Sequence, residues 1–267
     1  MRKFKEWRVG ASTACFGSWS PELVRSYADA GVASMELSTG LEEYFGGLRF
    51  IDRAEEIGET TRSLGVELRS IHLPFGQRLD VSREDIWAQQ TVDVNLALID
   101  AAHRAGVPLA VIHPSSEPID DGDRKKRLEI SKRNLSYLAK RTAEYGMKLC
   151  VEDLPRTCLG RTSDDINYLI ADDPDLWCVF DTNHLLMQDN AEFVRAVGSK
   201  IVALHVSDYD CIDERHVIPF EGKNDWKGII KALEDAGYSG DWTYELKRGW
   251  TPEQLMENKR KLEELFE

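Results

Sequence analysis

Short apolar runs alternate along the chain with amphipathic segments, and each run closes on a polar residue. Ala30-Gly31 leads into Val32-Ala33-Ser34-Met35 and then Glu36, and Leu64-Gly65 leads through residues 66–71 to His72. Ala105-Gly106 leads through Leu109-Ala110-Val111-Ile112 to His113, Tyr145-Gly146 through Leu149-Cys150-Val151 to Glu152, and Ala236-Gly237 through Trp242-Thr243-Tyr244 to Glu245. Residues 9–13, 176–180 and 201–204 read the same way, which makes eight candidate strands. Runs that are short, uninterrupted and partly β-branched are the signature of strands buried on both faces of a parallel sheet. The recurring glycine suits the position just past a helix end, where the backbone needs positive φ.

The segments between the runs have helical spacing. Leu23, Val24, Tyr27 and Ala28 make one apolar stripe, and Leu128, Leu135, Leu138 and Thr142 fit another. Ser20-Pro21 and Thr251-Pro252 read as helix starts with proline at the first position, and Thr251 with Gln254 has capping-box spacing. Eight alternating βα units without a break in composition predict one α/β domain over residues 1–267, a closed (β/α)8 TIM barrel with eight parallel strands. The competing arrangement, an open doubly wound sheet, would carry G-x-G-x-x-G after the first strand, and none stands there.

Composition narrows the function. The 267 residues match the ~250 that one such barrel needs. A net charge of -13 argues against a nucleic-acid partner, which calls for a basic stripe, and the densest basic run, Arg124-Lys125-Lys126-Arg127, reads as the solvated face of a helix start. No stretch is long and apolar enough for a membrane span, and residues 1–10 lack an apolar signal core. The five cysteines form no CxxC pair, which suits a reducing compartment and predicts a cytoplasmic protein; Cys150 and Cys178 fall inside apolar runs as core residues. His103 sits in the last turn of a helical segment, where it faces the helix end or solvent.

In a barrel of this kind the active site lies at the C-terminal ends of the strands. That rule selects Glu36, His72, His113, Glu152, Asp181, His205 and Glu245, each closing a different strand, with His184 and His216 close by in the loops. One carboxylate or one histidine at a strand end is more often a cap or a satisfied polar group, and Glu36 and His113 taken singly read that way. Seven neighbouring strand ends with ligand-type side chains strain that reading. So many acids at one rim should raise one another's pKa, and a divalent ion relieves the repulsion.

The motifs Ser70-Ile71-His72-Leu73-Pro74, Val111-Ile112-His113-Pro114, Val151-Glu152-Asp153, Phe180-Asp181-Thr182-Asn183-His184, Leu204-His205-Val206-Ser207-Asp208, Arg215-His216, Glu221-Gly222 with Asp225-Trp226, and Tyr244-Glu245 run in order across most of the chain. They resemble the xylose-isomerase-like barrel superfamily, which takes in sugar phosphate isomerases and epimerases and endonuclease IV. The resemblance implies one divalent metal held by Glu152, Asp181, His205 and Glu245. Such an oxygen-rich set suits Mn, Mg or Co, with Zn also open. It further implies His184 at the substrate or a further metal, and Arg215 and His216 at the substrate's far end. Residues 215–226 resemble R-H-x-x-P-G-E-G-x-x-D-W with Phe220 in place of the first glycine, a change expected to narrow or stiffen the loop.

The expected activity is proton transfer next to a carbonyl, through an enediolate, on a carbohydrate that is free, phosphorylated or a keto-inositol. Glu152 and Glu245 come from strands five and eight and would exchange the proton; His72 and His113 would join His184 and Arg215 at the substrate. Phe16, Trp19 and Phe75 either pack on the sugar's apolar face or simply pack their loops. Arg156, where ketohexose 3-epimerases usually carry an acid, tilts the substrate toward an acidic or phosphorylated one. A homodimer or homotetramer is the expected assembly. Two rivals stand beside this reading. An endonuclease IV-like zinc-dependent phosphodiesterase would use His72, His113, His184 and His216, with Glu214 where that branch has Asp, but residues 153–157 do not match its segment after strand five. A non-catalytic sugar-binding barrel is the other.

Overall fold

The computed structural model describes residues 3–39 and 47–267. Its strands are β1 (Val9–Ser12), β2 (Ser34–Ser38), β3 (Glu67–His72), β4 (Leu109–Ile112), β5 (Lys148–Glu152), β6 (Leu176–Asp181), β7 (Ile201–His205) and β8 (Trp242–Tyr244). They pair in parallel in the order β8-β1-β2-β3-β4-β5-β6-β7. A parallel bridge between Val206 and Tyr244 closes the ring, with Val206 N–H donating to the Thr243 carbonyl at 2.8 Å and Glu245 N–H to the Val206 carbonyl at 3.1 Å. Around the strands lie α1 (Pro21–Ala30), α2 (Gly47–Ser63), α3 (Ala88–Ala105), α4 (Asp121–Glu144), α5 (Ser163–Ile170), α6 (Asn190–Val197), α7 (Trp226–Asp235) and α8 (Pro252–Glu263). This is the (β/α)8 barrel that the alternation predicts.

Local signals set the joints. Ser20 Oγ accepts the Leu23 N–H at 3.2 Å at the start of α1, and Thr251 and Gln254 make the expected reciprocal cap on α8. The five glycines that precede strands in the sequence all have positive φ, from 70° at Gly146 to 89° at Gly31. Val24 and Tyr27 of α1, and Leu135, Leu138 and Thr142 of α4, are buried as the helical stripes require. His103 stacks on Tyr145 at the end of α3 (4.4 Å, 12°).

The core has two layers. Outward-facing strand residues such as Ala110, Leu149, Cys178 and Phe180 pack under the helices, while Leu109, Val111, Cys150 and Val179 fill the barrel interior. The cysteines are free, and Cys211 alone among them is exposed. The basic run of α4 is largely discharged: Arg124 pairs with Asp165, Arg127 with Asp80 at 2.6 Å and Lys126 with Glu84 at 3.8 Å. Among the described residues no helix is long and apolar enough to cross a membrane.

The boundary that matters most for the site is that of β2. Glu36 does not end its strand; β2 runs on to Ser38. Polar Ser34, Glu36 and Ser38 alternate with buried Met35 and Leu37, so the polar side of this strand faces the barrel interior and the apolar side the helices.

Candidate metal centre and its cavity

Strand alternation sends every second side chain into a closed barrel. Near the C-terminal ends the inward residues are Glu36, His72, Glu152, Asp181 and His205, all buried, with Glu245 just past β8 and partly buried. Glu152 is the hub. Its Oε1 lies 2.9 Å from His205 Nδ1, and its Oε2 lies 3.1 Å from His72 Nε2 and 3.2 Å from His113 Nε2. His205 Nδ1 is also 3.1 Å from Glu245 Oε2 and 4.0 Å from Asp181 Oδ2. One ligand atom from each of Glu152, Asp181, His205 and Glu245 falls within 4.8 Å of the others, so the four can converge on one cation. Asp181 Oδ2 is buried without a hydrogen-bond donor, a condition that a divalent cation would satisfy.

Neighbouring groups fix these side chains. Asp153 Oδ1 accepts the Asp181 N–H at 2.8 Å, and Asp181 Oδ1 accepts the Asn183 N–H at 2.7 Å, leaving Oδ2 for the centre. His72 Nδ1 sits 2.9 Å from the Leu73 carbonyl, and His184 Nδ1 2.7 Å from the Asp153 carbonyl, so both rings turn Nε2 inward. Glu214, in the loop after β7, brings Oε1 to 3.1 Å from His184 Nε2 and 4.0 Å from His216 Nε2. His184, Glu214 and His216 thus form a further group with ligand atoms within 4.8 Å, as do His72, Glu152 and His205.

The electrostatics correct the sequence expectation in part. Burial raises the Asp181 carboxyl to about 6, despite the opposing pull of His184 and His216. Glu152 and Glu245 move the other way. Burial opposes their ionisation, but the His205 ring, joined at Glu152 by His113, outweighs it; Glu152 is held well below the usual carboxylate range and Glu245 falls to about 2. The rings respond in kind. Burial works against protonation of His205, yet Glu245, Glu36 and Glu152 hold its pKa well above the ordinary imidazole value. Burial likewise opposes protonation of His72, but Glu152 raises it to about 9. Imidazoles interleaved with acids relieve much of the repulsion expected of acids alone.

The cavity above this floor holds about 620 Å³, and His72, His113, His184, His216, Glu152 and Glu245 line it. Phe75 lies in the same wall and stacks on His113 (4.2 Å, 20°). Other expected contacts point elsewhere. Arg215 turns back onto Asp210, with Nε at 2.8 Å and Nη2 at 2.7 Å, and is not part of the described wall. Trp19 is buried and donates from Nε1 to Thr61 Oγ1 of α2 at 3.0 Å, and Phe16 packs edge-on against Tyr27 of α1; Ala14 represents their loop in the wall. Arg156 does line the cavity, but it pairs with Glu117 at 3.2 Å, Asp213 at 2.7 Å and Glu214 at 2.6 Å, so it brings no unbalanced positive charge to a substrate.

Several contributors carry no strand-end signal in the sequence. Asn183 Oδ1 accepts the N–H groups of Arg215 and His216 at 3.0 and 3.1 Å and pins their loop to the end of β6. Its place inside Asp181-Thr182-Asn183-His184 was a usable signal. Ser115, Ser116, Gln77, Lys247 and Arg248 also line the cavity, from loops whose composition marks nothing.

The profile of the xylose isomerase-like TIM barrel family matches residues 24–265, so the chain belongs to that family. An uncharacterised Methanocaldococcus jannaschii protein, MJ1311, is 26% identical over 179 residues, a stretch that covers 64% of this chain and 61% of the relative. Among solved structures, a D-tagatose 3-epimerase-like protein superposes with a TM-score of 0.81 at 21% identity, covering 97% of both chains. The IOLI protein with a bound zinc atom gives 0.78 at 17% identity, over 96% of both chains. At these identities the structural likeness is one of fold.

Proposed function

We propose that this protein is a divalent-metal-dependent isomerase or epimerase of a sugar, a sugar phosphate or a keto-inositol. The observation that carries the reading is the pair of glutamates, Glu152 and Glu245, held with Asp181 and His205 at the floor of a cavity sized for a small molecule. A structural neighbour described as D-tagatose 3-epimerase-like, and another described with a zinc atom, support the same chemistry.

The reaction moves a proton on a carbon beside a carbonyl. One carboxylate takes the proton and the second returns one to the opposite face for epimerisation; a single carboxylate serves an aldose–ketose shift. A divalent cation held by Glu152, Asp181, His205 and Glu245 would supply electrophilic stabilisation of the substrate oxygens as the enediolate charge develops. The chain does the rest. His205 orients one oxygen of Glu152, and His72 and His113 orient the other. The Glu152 carboxylate lines the cavity where a substrate carbon would present its proton. His184 and His216 stand in the cavity wall within reach of substrate oxygens, and the Phe75 ring supplies an apolar surface.

Two measurements test this. Glu152→Gln should cut turnover by a factor of about 10²–10⁴ while metal remains measurable, and full activity would remove Glu152 from the mechanism. Elemental analysis should find about one Mn, Mg, Co or Zn per chain, lost in a Glu152→Ala/Asp181→Ala double variant. Protein that takes up no metal under any loading condition would sink the reading.

One observation favours a second reading. His184, Glu214 and His216, together with His72, His113 and Glu152, could hold further cations, as an endonuclease IV-like zinc phosphodiesterase requires. Against it stand the net charge of -13 and the paired basic residues of α4, since phosphate-backbone binding needs free cations. About three zincs per chain would move this reading to first place.

A further inference from the structure

Glu36 is a buried carboxylate in the middle of β2, inside the barrel and beneath the four-residue set. Two groups meet it. Ser70 Oγ donates to its Oε2 at 2.8 Å, and His205 Nε2 lies 3.1 Å from Oε2 and 3.0 Å from Oε1. The other ring nitrogen of His205, Nδ1, is the one within 2.9 Å of Glu152 and 3.1 Å of Glu245. The imidazole is therefore threaded between one carboxylate below and three above.

We propose that Glu36 is a positioning residue: it accepts the Nε2–H of His205 and so keeps the Nδ1 lone pair turned toward Glu152, Asp181 and Glu245. The inference rests on the metal reading given above. A neutral imidazole carries its proton on one nitrogen and its lone pair on the other. Only the tautomer with hydrogen on Nε2 can offer Nδ1 to a cation, and the opposite tautomer would aim an N–H at it. Glu36 has nothing to donate when ionised, so it accepts from Nε2–H and excludes the wrong form. Ser70 spends its single hydroxyl proton on the same carboxylate and fixes its orientation. Ring rotation offers no escape, because His205 is fully buried and stacks on His72 at 5.7 Å.

The test compares Glu36→Gln with Glu36→Met by zinc titration of the full chain. The glutamine amide keeps an acceptor oxygen for His205 and an N–H₂ for Ser70, whereas methionine keeps the volume and removes the acceptor. The methionine variant should bind zinc about 10–100-fold more weakly than wild type, and the glutamine variant should recover most of that loss. Nitrogen-15 spectra of histidine-labelled, zinc-loaded wild type should show His205 with hydrogen on Nε2 and metal on Nδ1. Wild-type affinity in the methionine variant, or metal on Nε2, would overturn the proposal and leave the metal centre standing. Wild type that binds no divalent ion would overturn both. If Glu36→Met does not fold, the wild-type spectrum and the glutamine titration still decide.

Discussion

Protons compete with any cation for Asp181 and His205. Burial places the Asp181 carboxyl at about 6, and the acids around His205 keep its ring protonated well past the ordinary imidazole range. A metal ligand must be deprotonated to bind. The sign follows: apparent affinity should rise with pH across the neutral range, as His205 gives up its proton more easily. It should fall steeply below about 6, where Asp181 takes one as well. Calorimetry of zinc binding in two buffers of different ionisation enthalpy reads the protons released. An uptake of protons, or an affinity independent of pH, would contradict the assignment of these two groups. At this scale the sequence located the ligand-type residues but not their partners. Trp19 and Arg215 stand near strand ends in sequence, yet one packs on Thr61 and the other on Asp210. A strand end specifies where a loop begins and leaves the direction of each loop side chain to packing.

Loop architecture carries the next level of order. The non-glycine residues with positive φ among those described are Arg156, Cys211, His216 and Phe220, one in the loop after β5 and three in the loop after β7. Strained backbone of this sort persists where the surroundings over-determine it. Asp208 is the anchor. It is buried in the loop just past β7 and accepts from the N–H groups of Tyr209 (2.9 Å), Phe220 (3.0 Å) and Asn224 (3.1 Å) and from Trp226 Nε1 (3.0 Å). Phe220 adopts φ 81° where the family pattern has glycine, and its N–H donates to Asp208 as a glycine's would. Asp208→Ala strands four donors and should cost about 2–5 kcal/mol in urea unfolding. It should also open residues 209–224 to limited proteolysis. A neutral effect on both would show that Glu214 and His216 are held by other means.

For the whole molecule, the decisive fact is that the floor of the barrel is built of buried acids and imidazoles. Such a floor is unfavourable without a compensating ion or proton set. A cation that binds only the folded state adds stability by mass action, about 2.7 kcal/mol at a hundred times Kd. Thermal melting should therefore shift upward with Mn, Mg, Co or Zn in wild type and hardly at all in Glu152→Ala/Asp181→Ala. An equal shift in both would place the metal elsewhere.

The barrel is legible in the order of residues alone. Short uninterrupted apolar runs, glycines with positive φ before them and the caps at Ser20 and Thr251 are local demands, and local physics meets them without knowledge of distant residues. The strand-end rule then named the residues of the candidate centre, because in this architecture every strand end converges on one rim. How they meet is set by the assembled fold. Ser34-Met35-Glu36-Leu37-Ser38 alternates plainly, but whether its polar face turns inward depends on what the other strands place opposite it. Ring closure brought His205 over Glu36, and chain folding paired Arg156 with Glu214 from a loop far along the sequence. Those contacts join residues separated by long stretches of chain, and side-chain direction, burial and charge balance are properties of the assembled barrel.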